Sequence, residues 1–327
     1  MMSRKKVISI IVSFILIVGA GVGVYIATLY NEAEEMIENS HQELERGTTS
    51  NKREETVDPK EDSISVLFIG VDDSISRQGS SSLADAIVLA TFNKNDMSIN
   101  LVSIPRDSYV DVPYQVEKDK INHVHAFTGI DGMIDTVEQL LDIPVDYYVR
   151  IDFNAFVKVV DTLGGITADV PYNIVESNSL DERDSIYLYE GRHRLNGEEA
   201  LALARTRKYD SDLERGKRQM EIMQAILDEV LSFSSVTKYR TLIQDIDSHL
   251  ATNFTFDEIL SLHKYVTNNR GLNIETHQLH GSSLIHNDIY YLELDEESVI
   301  NIQRELKKHL DLPISIADNS KKDSTSY

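Results

Sequence analysis

Arginines and carboxylates gather in four short stretches of this 327-residue chain. From Ala204 the sequence reads ARTRKYDSDLERGKRQ. Arg205 and Arg207 flank Thr206. On the helix expected to follow, Arg215, Arg218 and Gln219 fall at i, i+3 and i+4, on one face. Guanidinium forks beside a helix N-terminus suit an anion with several oxygens, such as a phosphate. The same spacing also describes a solvated basic face, partly neutralised by Asp210, Asp212 and Glu214. The other stretches are Gly70-Val71-Asp72-Asp73 after one apolar run, Asp85 before a second, and Pro105-Arg106-Asp107 after a third. Taken alone, Asp72 reads equally well as a capped turn. Hard carboxylate oxygens suit Mg²⁺, and Mg²⁺ with arginine suits phosphate.

Strands are needed to bring these residues together. Ile64 to Ile69, Ala86 to Phe92 and Ser98 to Ile104 are short apolar runs, the last two separated by the turn Asn93-Lys94-Asn95-Asp96. If they are neighbours, an antiparallel meander puts Asp85 and Arg106 at one end of the sheet, within reach of Asp72. Further on, Tyr147 to Ile151 predicts a strand, Phe153 to Thr162 a helix, and Gly164-Gly165 a turn into Ile166 to Val170. A helix is expected over Asn196 to Ala204, opened by Asn196 and Glu199 at capping-box spacing. A second runs from Asp212, read as its N-cap, to Phe233. From Thr255 the pattern is helix, strand, and a last helix ending near Leu310. The expected fold is α/β: a layered α-β-α sandwich with a central mixed sheet over residues 63–312. The polar tail 313–327 should fray.

Ahead of this domain, Val7 to Tyr30 carries no charge, and Arg4, Lys5 and Lys6 precede it. A bilayer core needs about 20 apolar residues as helix, so residues 7–29 are expected to span a membrane once. The positive flank keeps residues 1–6 cytoplasmic and places the rest outside the cell. A cleaved secretory signal is the other reading, and it leads to the same compartment. Residues 30–62 are polar and rich in Glu, and their second half is expected to be a solvated stalk. The chain has no cysteine, which excludes disulfides, thiol catalysis and thiolate metal sites. With 54 acidic against 32 basic residues the formal charge is −22. Such a chain repels nucleic acid, so any anion site must be a local basic concentration.

The sequence blocks GVD at Gly70, SIPRD at Ser103, KIN at Lys120, IPVDYYVRIDF at Ile143, LGGI at Leu163, LNGEEALALARTRK at Leu195 and DLERGKRQ at Asp212 resemble the LytR-CpsA-Psr family of Gram-positive envelope enzymes. The resemblance covers roughly Ser63 to Phe233. It implies transfer of an anionic glycopolymer, such as wall teichoic acid or capsule, from an undecaprenyl-pyrophosphate carrier. The implied acceptor is the muramic acid 6-hydroxyl of peptidoglycan, and the implied link is a phosphodiester. By the same resemblance, Asp72 and Asp85 correspond to Mg²⁺-associated carboxylates. Arg106, Arg205, Arg207, Arg215, Arg218 and Gln219 correspond to the pyrophosphate-binding set, with Asp107 orienting Arg106 or assisting the metal. Asp72 or Asp107 is the candidate base.

One departure stands out. The family has Arg, then Ser or Thr, before the aspartate at Asp85; here those positions are Leu83 and Ala84. Arg77, in the same loop, is the candidate replacement. A tethered polyprenyl-phosphate-binding or regulatory protein without turnover is the alternative reading. The stripe Met220, Met223, Ile226, Leu227, Val230 and Leu231 suits a lipid pocket but reads first as core. His123, His125, His277 and His280 lack a third ligand at metal spacing and read as ordinary histidines.

Overall fold

Successive residues of the first apolar run belong to different cores. The computed structural model describes residues 28, 31, 34, 35, 37–72, 82–113, 115, 117–208, 211–232, 249–267 and 273–314. Its elements are, in order, β1 (Ile64–Val71), β2 (Ala84–Asn93), β3 (Ser98–Ser103), β4 (Tyr109–Val110), β5 (Asp119–Lys120), α1 (Ile121–Leu141), β6 (Tyr147–Asp152), α2 (Phe153–Leu163) and β7 (Ile166–Val170). There follow β8 (Ile174–Glu176), β9 (Ile186–Leu188), β10 (Gly191–Leu195), α3 (Gly197–Arg205), α4 (Asp212–Ser232), β11 (Leu250–Thr252), α5 (Phe256–Thr267), β12 (Asn273–Gln278), β13 (Gly281–His286), β14 (Ile289–Leu294) and α6 (Glu296–His309).

The central sheet has the order β11-β6-β1-β2-β3-β12. It is mixed: β1-β2, β2-β3 and β11-β6 are antiparallel, whereas β1-β6 and β3-β12 are parallel. From β1, Leu67, Ile69 and Val71 enter a cluster with Ile121, Met133 and Val137 of α1 and Ile302 and Leu306 of α6. Ile64 and Val66 point the other way, toward Met220 of α4 and Tyr265 of α5. The pleat therefore produces the two helical layers expected around the sheet. A third cluster, including Val160, Ile166, Ala200, Leu203 and Ile222, joins α2, α3, β7 and α4.

Five expectations change or concern residues outside the described ones. The segment read as a solvated stalk packs partly on the domain. Leu44 is buried in the α1 cluster, Arg46 pairs with Glu138 at 2.8 Å, and Arg53 forks onto buried Asp146 at 2.7 and 3.0 Å. These arginines find carboxylates more than 90 positions away, which composition cannot show. Asp212 is the first residue of α4 rather than its cap; Ser211 takes that place, its Oγ accepting from Glu214 N at 3.3 Å. The expected membrane span, Val7 to Leu29, lies outside the described residues apart from Thr28. Among the described residues no helix is long and apolar enough to cross a membrane. Arg77 and residues 315–327 of the tail also lie outside them.

Candidate active site

Asp85 is set by an irregularity in the sheet. Gly70 pairs with Ala86 and Val71 with Ala84, so Asp85 is the extra residue of a β-bulge. A bulge re-aims a side chain at the sheet end. Asp72 follows Val71 directly and is buried, so both carboxylates sit where β1 ends and β2 begins. The meander brings the end of β3 to the same edge, and Arg106 Nη1 donates to Asp85 Oδ1. Asp85 and Arg106 meet as expected, and Asp72 follows the end of β1 at the same end of the sheet.

The loop after β3 is fixed on several sides. Ser108 N donates to Pro105 O at 3.0 Å, Asn122 N to Arg106 O at 3.1 Å, and Leu292 N to Asp107 O at 2.8 Å. Asp107 is buried, and its Oδ1 accepts from Lys120 Nζ at 2.8 Å. Its Oδ2 lies 3.8 Å from Arg106 Nε. Asp107 therefore stands between Arg106, at ion-pair distance, and Lys120, which holds its other oxygen. The role of Lys120 was not read from the sequence, because the pair spans 13 positions and two elements.

The first turn of α4 closes the site from the opposite layer. A Cβ at Gly216 would lie 2.5 Å from Ser103 Oγ and 2.8 Å from Gln278 Nε2. A side chain here would displace the Ser103 hydroxyl and the Gln278 amide on which this turn rests. Gln278 Nε2 then donates to Leu213 O at 2.6 Å. Seated so, Asp212 Oδ1 lies 2.8 Å from Arg215 Nη2 and 3.8 Å from Arg106 Nε. Burial pushes the Arg215 guanidinium down to about 10, with Asp212 opposing the shift and Arg106 and Arg207 adding to it. It remains charged at neutral pH. Arg106 Nε, Arg215 Nε, Thr206 Oγ1 and both Asp212 oxygens are buried without a hydrogen bond. Unsatisfied donors grouped this way mark a place prepared for a polar ligand.

The other arginines divide by role. Arg218, expected beside Arg215 on the anion, instead turns to the end of α3. Its Nε donates to Leu203 O at 3.1 Å and its Nη2 to Thr206 O at 2.5 Å, and it is 5 % exposed. Gln219 Nε2 likewise donates to Ala204 O at 3.3 Å. These carbonyls lack intrahelical partners, so both side chains tie α4 to α3. Arg205 is half-buried, reaching Asn178 O at 3.4 Å with its guanidinium over the Phe153 ring. Arg207 is exposed and close enough to bear on the charge of Arg215. Met220 is core, and Met223 and Ile226 are packed against it. His123 bonds Asp119 at 2.9 Å and His125 donates to Ser82 O at 2.8 Å, so both are ordinary structural histidines.

A divalent cation fits the carboxylate pair. Among the described residues no three His, Asp or Glu side chains form a metal cluster. Mg²⁺ does not need one, since it commonly takes one or two carboxylates and completes its shell with water and substrate phosphate.

The LytR_cpsA_psr family model matches residues 26–308. The chain belongs to the LytR-CpsA-Psr family. This LytR-CpsA-Psr protein is 37% identical over 309 residues to the polyisoprenyl-teichoic acid–peptidoglycan teichoic acid transferase TagT of Bacillus subtilis, covering 93% of this chain and 94% of TagT. It is 36% identical over 310 residues to the transferase TagU of Bacillus licheniformis, covering 94% and 97%. In three dimensions it resembles TagT bound to LIIa-WTA, with a TM-score of 0.73 and 38% identity over 83% of this chain and all of that one. A TagT structure with bound octaprenyl pyrophosphate lipid gives a TM-score of 0.68 at 34% identity, with the same coverage.

Proposed function

We propose that this protein transfers an anionic glycopolymer from a polyprenyl pyrophosphate to peptidoglycan, with the muramic acid 6-hydroxyl as acceptor and a phosphodiester as product. The observation that carries the reading is the pair of buried, unsatisfied Nε donors of Arg106 and Arg215 beside the Asp85 bulge. Relatives named as teichoic acid transferases, one of them with a polyprenyl pyrophosphate bound, support it.

The acceptor oxygen attacks the phosphorus that carries the glycopolymer, and the bond from that phosphorus to the bridging pyrophosphate oxygen breaks. Polyprenyl phosphate leaves, and the hydroxyl proton passes to a carboxylate. Phosphoryl transfer needs in-line positioning and neutralised equatorial oxygens more than a covalent intermediate. Arg106 and Arg215 supply fixed donors, held in place by Asp107 and Asp212, while exposed Arg207 meets the outer oxygens. Bound at Asp72 and Asp85, Mg²⁺ would neutralise phosphate oxygens and favour departure of the leaving group. Asp72 or Asp107 is the carboxylate that takes the proton; Asp107 already accepts from Lys120. If residues 7–29 span the membrane, as their uncharged sequence leads us to propose, the domain stays outside the cell beside its lipid donor.

The test is transfer by the full chain in lipid nanodiscs, supplied with a lipid-linked glycopolymer and peptidoglycan, with Mg²⁺ or with chelator. We expect Mg²⁺-dependent product, lost by about a hundredfold or more in Asp85→Ala, since even supporting groups around a metal cost about 10–100-fold. Binding of the lipid without turnover under every condition would instead establish the tethered binding protein that Leu83 leaves open.

A further inference from the structure

The β13–β14 hairpin exposes large apolar side chains on both of its faces. Register pairs Ile285 with Tyr290 and His286 with Ile289, and neighbouring pairs face opposite ways. Ile285 is 65 % exposed, Ile289 47 % and Tyr290 40 %. An antiparallel hairpin on a protein surface commonly keeps one polar face toward water. This hairpin packs through its middle. Leu292 N donates to Asp107 O at 2.8 Å, and the Tyr291 ring lies 4.7 Å from that of Tyr109. Those contacts hold it at the active-site end of the sheet, where Lys120, the partner of Asp107, stands 5.9 Å from the Tyr290 ring.

The path of the chain fixes what this end faces. β6 runs parallel to β1 toward the active-site end, and β11, antiparallel to β6, runs away from it. His41 bridges Thr252 of β11 in parallel, so the chain arrives from the active-site end. The described residues from Asn31 to Ser40 are helical. Leu29, the last residue of the expected membrane span, precedes His41 by 12 positions, about 18 Å of helix. β1 alone, with 8 residues, covers about 26 Å. A tether this short turns the active-site end, and not the opposite one, toward the bilayer.

Shape and charge agree on the occupant. A protein partner covers one face of a hairpin, whereas a bilayer surrounds its tip, and here both faces are apolar. A chain of formal charge −22 gains nothing from anionic headgroups, so its contact with lipid has to be apolar. Tyr290 opposite Ile285 joins a phenol suited to the membrane–water interface to an aliphatic chain suited to the acyl boundary. We propose that the tip of β13–β14, through Ile285, Ile289 and Tyr290, inserts into the interfacial layer of the bilayer and holds the anion site at headgroup level. The proposal rests on the span at residues 7–29 and not on transfer.

The chain has no tryptophan, so Ile289→Trp and Tyr290→Trp each report on one position. Leu260→Trp is the control. Leu260 is exposed on α5, whose Glu258 accepts from Tyr147 at the start of β6, the opposite end of the sheet. Each full chain is held in nanodiscs of phosphatidylethanolamine and phosphatidylglycerol, either plain or brominated on the acyl chains close to the headgroup. A side chain lying about 5–10 Å into the headgroup–acyl boundary should shift its emission to the blue and lose about half of it or more to bromine. Leu260→Trp should do neither. Quenching should persist in about 1 M salt, because apolar contact is not screened. Hairpin tryptophans quenched no more than the control, in variants that keep the wild-type urea midpoint, would overturn the proposal. So would quenching abolished by salt, which would make the contact electrostatic. A blue shift without quenching that grows with protein concentration would assign the tip to a second copy of the chain instead. A full chain that stays out of the nanodiscs would remove the tether and the proposal with it. None of these readouts involves turnover, so a protein without transferase activity leaves the test intact.

Discussion

Arg218→Lys separates a structural arginine from a ligand-binding one. The side chain is 5 % exposed and bonds Leu203 O at 3.1 Å and Thr206 O at 2.5 Å. Those oxygens belong to the end of α3 and the residue after it. A lysine keeps the charge but places one ammonium where a planar fork reached two acceptors. At least one buried carbonyl then loses a charge-assisted bond worth about 1.5–3 kcal/mol. For a domain of this size that lowers the melting temperature by about 3–12 °C, at about 2–4 °C per kcal/mol. The assay is thermal unfolding followed by circular dichroism, beside polyprenyl pyrophosphate affinity, for Arg218→Lys and Arg215→Lys. We expect Arg218→Lys to lose stability and keep affinity at temperatures where it is folded. Arg215→Lys should lose affinity by about tenfold or more, because its partners include a carboxylate and a ligand rather than helix carbonyls. An Arg218→Lys protein with unchanged melting and lost affinity would refute this assignment and return Arg218 to the anion cradle.

Truncation of Arg53 to alanine leaves buried Asp146 without its forked partner and should cost about 3 kcal/mol or more in urea unfolding; a cost under about 1 kcal/mol would make the pair a surface decoration. His309 bridges Thr91 and Ser98 at 2.8 and 2.9 Å, and burial holds its pKa below 6.5 despite Asp96, Glu275 and Asp311. The unfolded chain therefore binds the proton first, so stability present above pH 6.5 should fall as pH drops below it, and His309→Gln should flatten that slope. Leu83→Arg, two residues before Asp85, should raise donor affinity by less than about tenfold if Arg77 already supplies a charge. In that case Arg77→Ala lowers affinity, whereas an Arg77→Ala protein equal to wild type would show that nothing replaces the missing guanidinium.

Local pattern made much of this molecule legible. Alternation and one turn locate β1, β2 and β3 to within about two residues, and their meander alone brings Asp85 to Arg106. The Asn196–Glu199 capping box forms as read. Where pattern failed, a non-local choice decided. α1 escaped notice because Gly129, at φ 68°, breaks its periodicity and kinks it. The stalk reading failed because Arg46 and Arg53 look solvated until the distant Glu138 and Asp146 arrive. Arg215 and Arg218 share a helix face by spacing, yet the docking of α3 against that face gives Arg218 to backbone carbonyls and leaves Arg215 near Arg106. Helical spacing reports direction from an axis, and only the neighbouring element determines what stands there.

The site's own charge balance argues for the cation. Arg106, Arg207, Arg215 and Lys120 stand against Asp72, Asp85, Asp107 and Asp212, four positive groups and four negative ones, within a chain of formal charge −22. A pyrophosphate approaching a locally neutral cluster on an acidic protein gains little from long-range attraction. A divalent ion at the bulge would turn that balance to plus two. Donor binding, and not only turnover, should therefore depend on Mg²⁺. The decisive variant is Asp72→Asn with Asp85→Asn, which removes two negative charges and the proposed metal ligands together. Without metal it should bind octaprenyl pyrophosphate more tightly than metal-free wild type, because two like charges near the phosphates are gone. Adding Mg²⁺ should tighten the wild type and leave the double variant unchanged, while the variant transfers nothing. Titration of the lipid into nanodisc-held protein, with Mg²⁺ or chelator, reads all four affinities. Wild type that binds equally well in both would show that the carboxylates serve as base and arginine holders alone, with no cation between them.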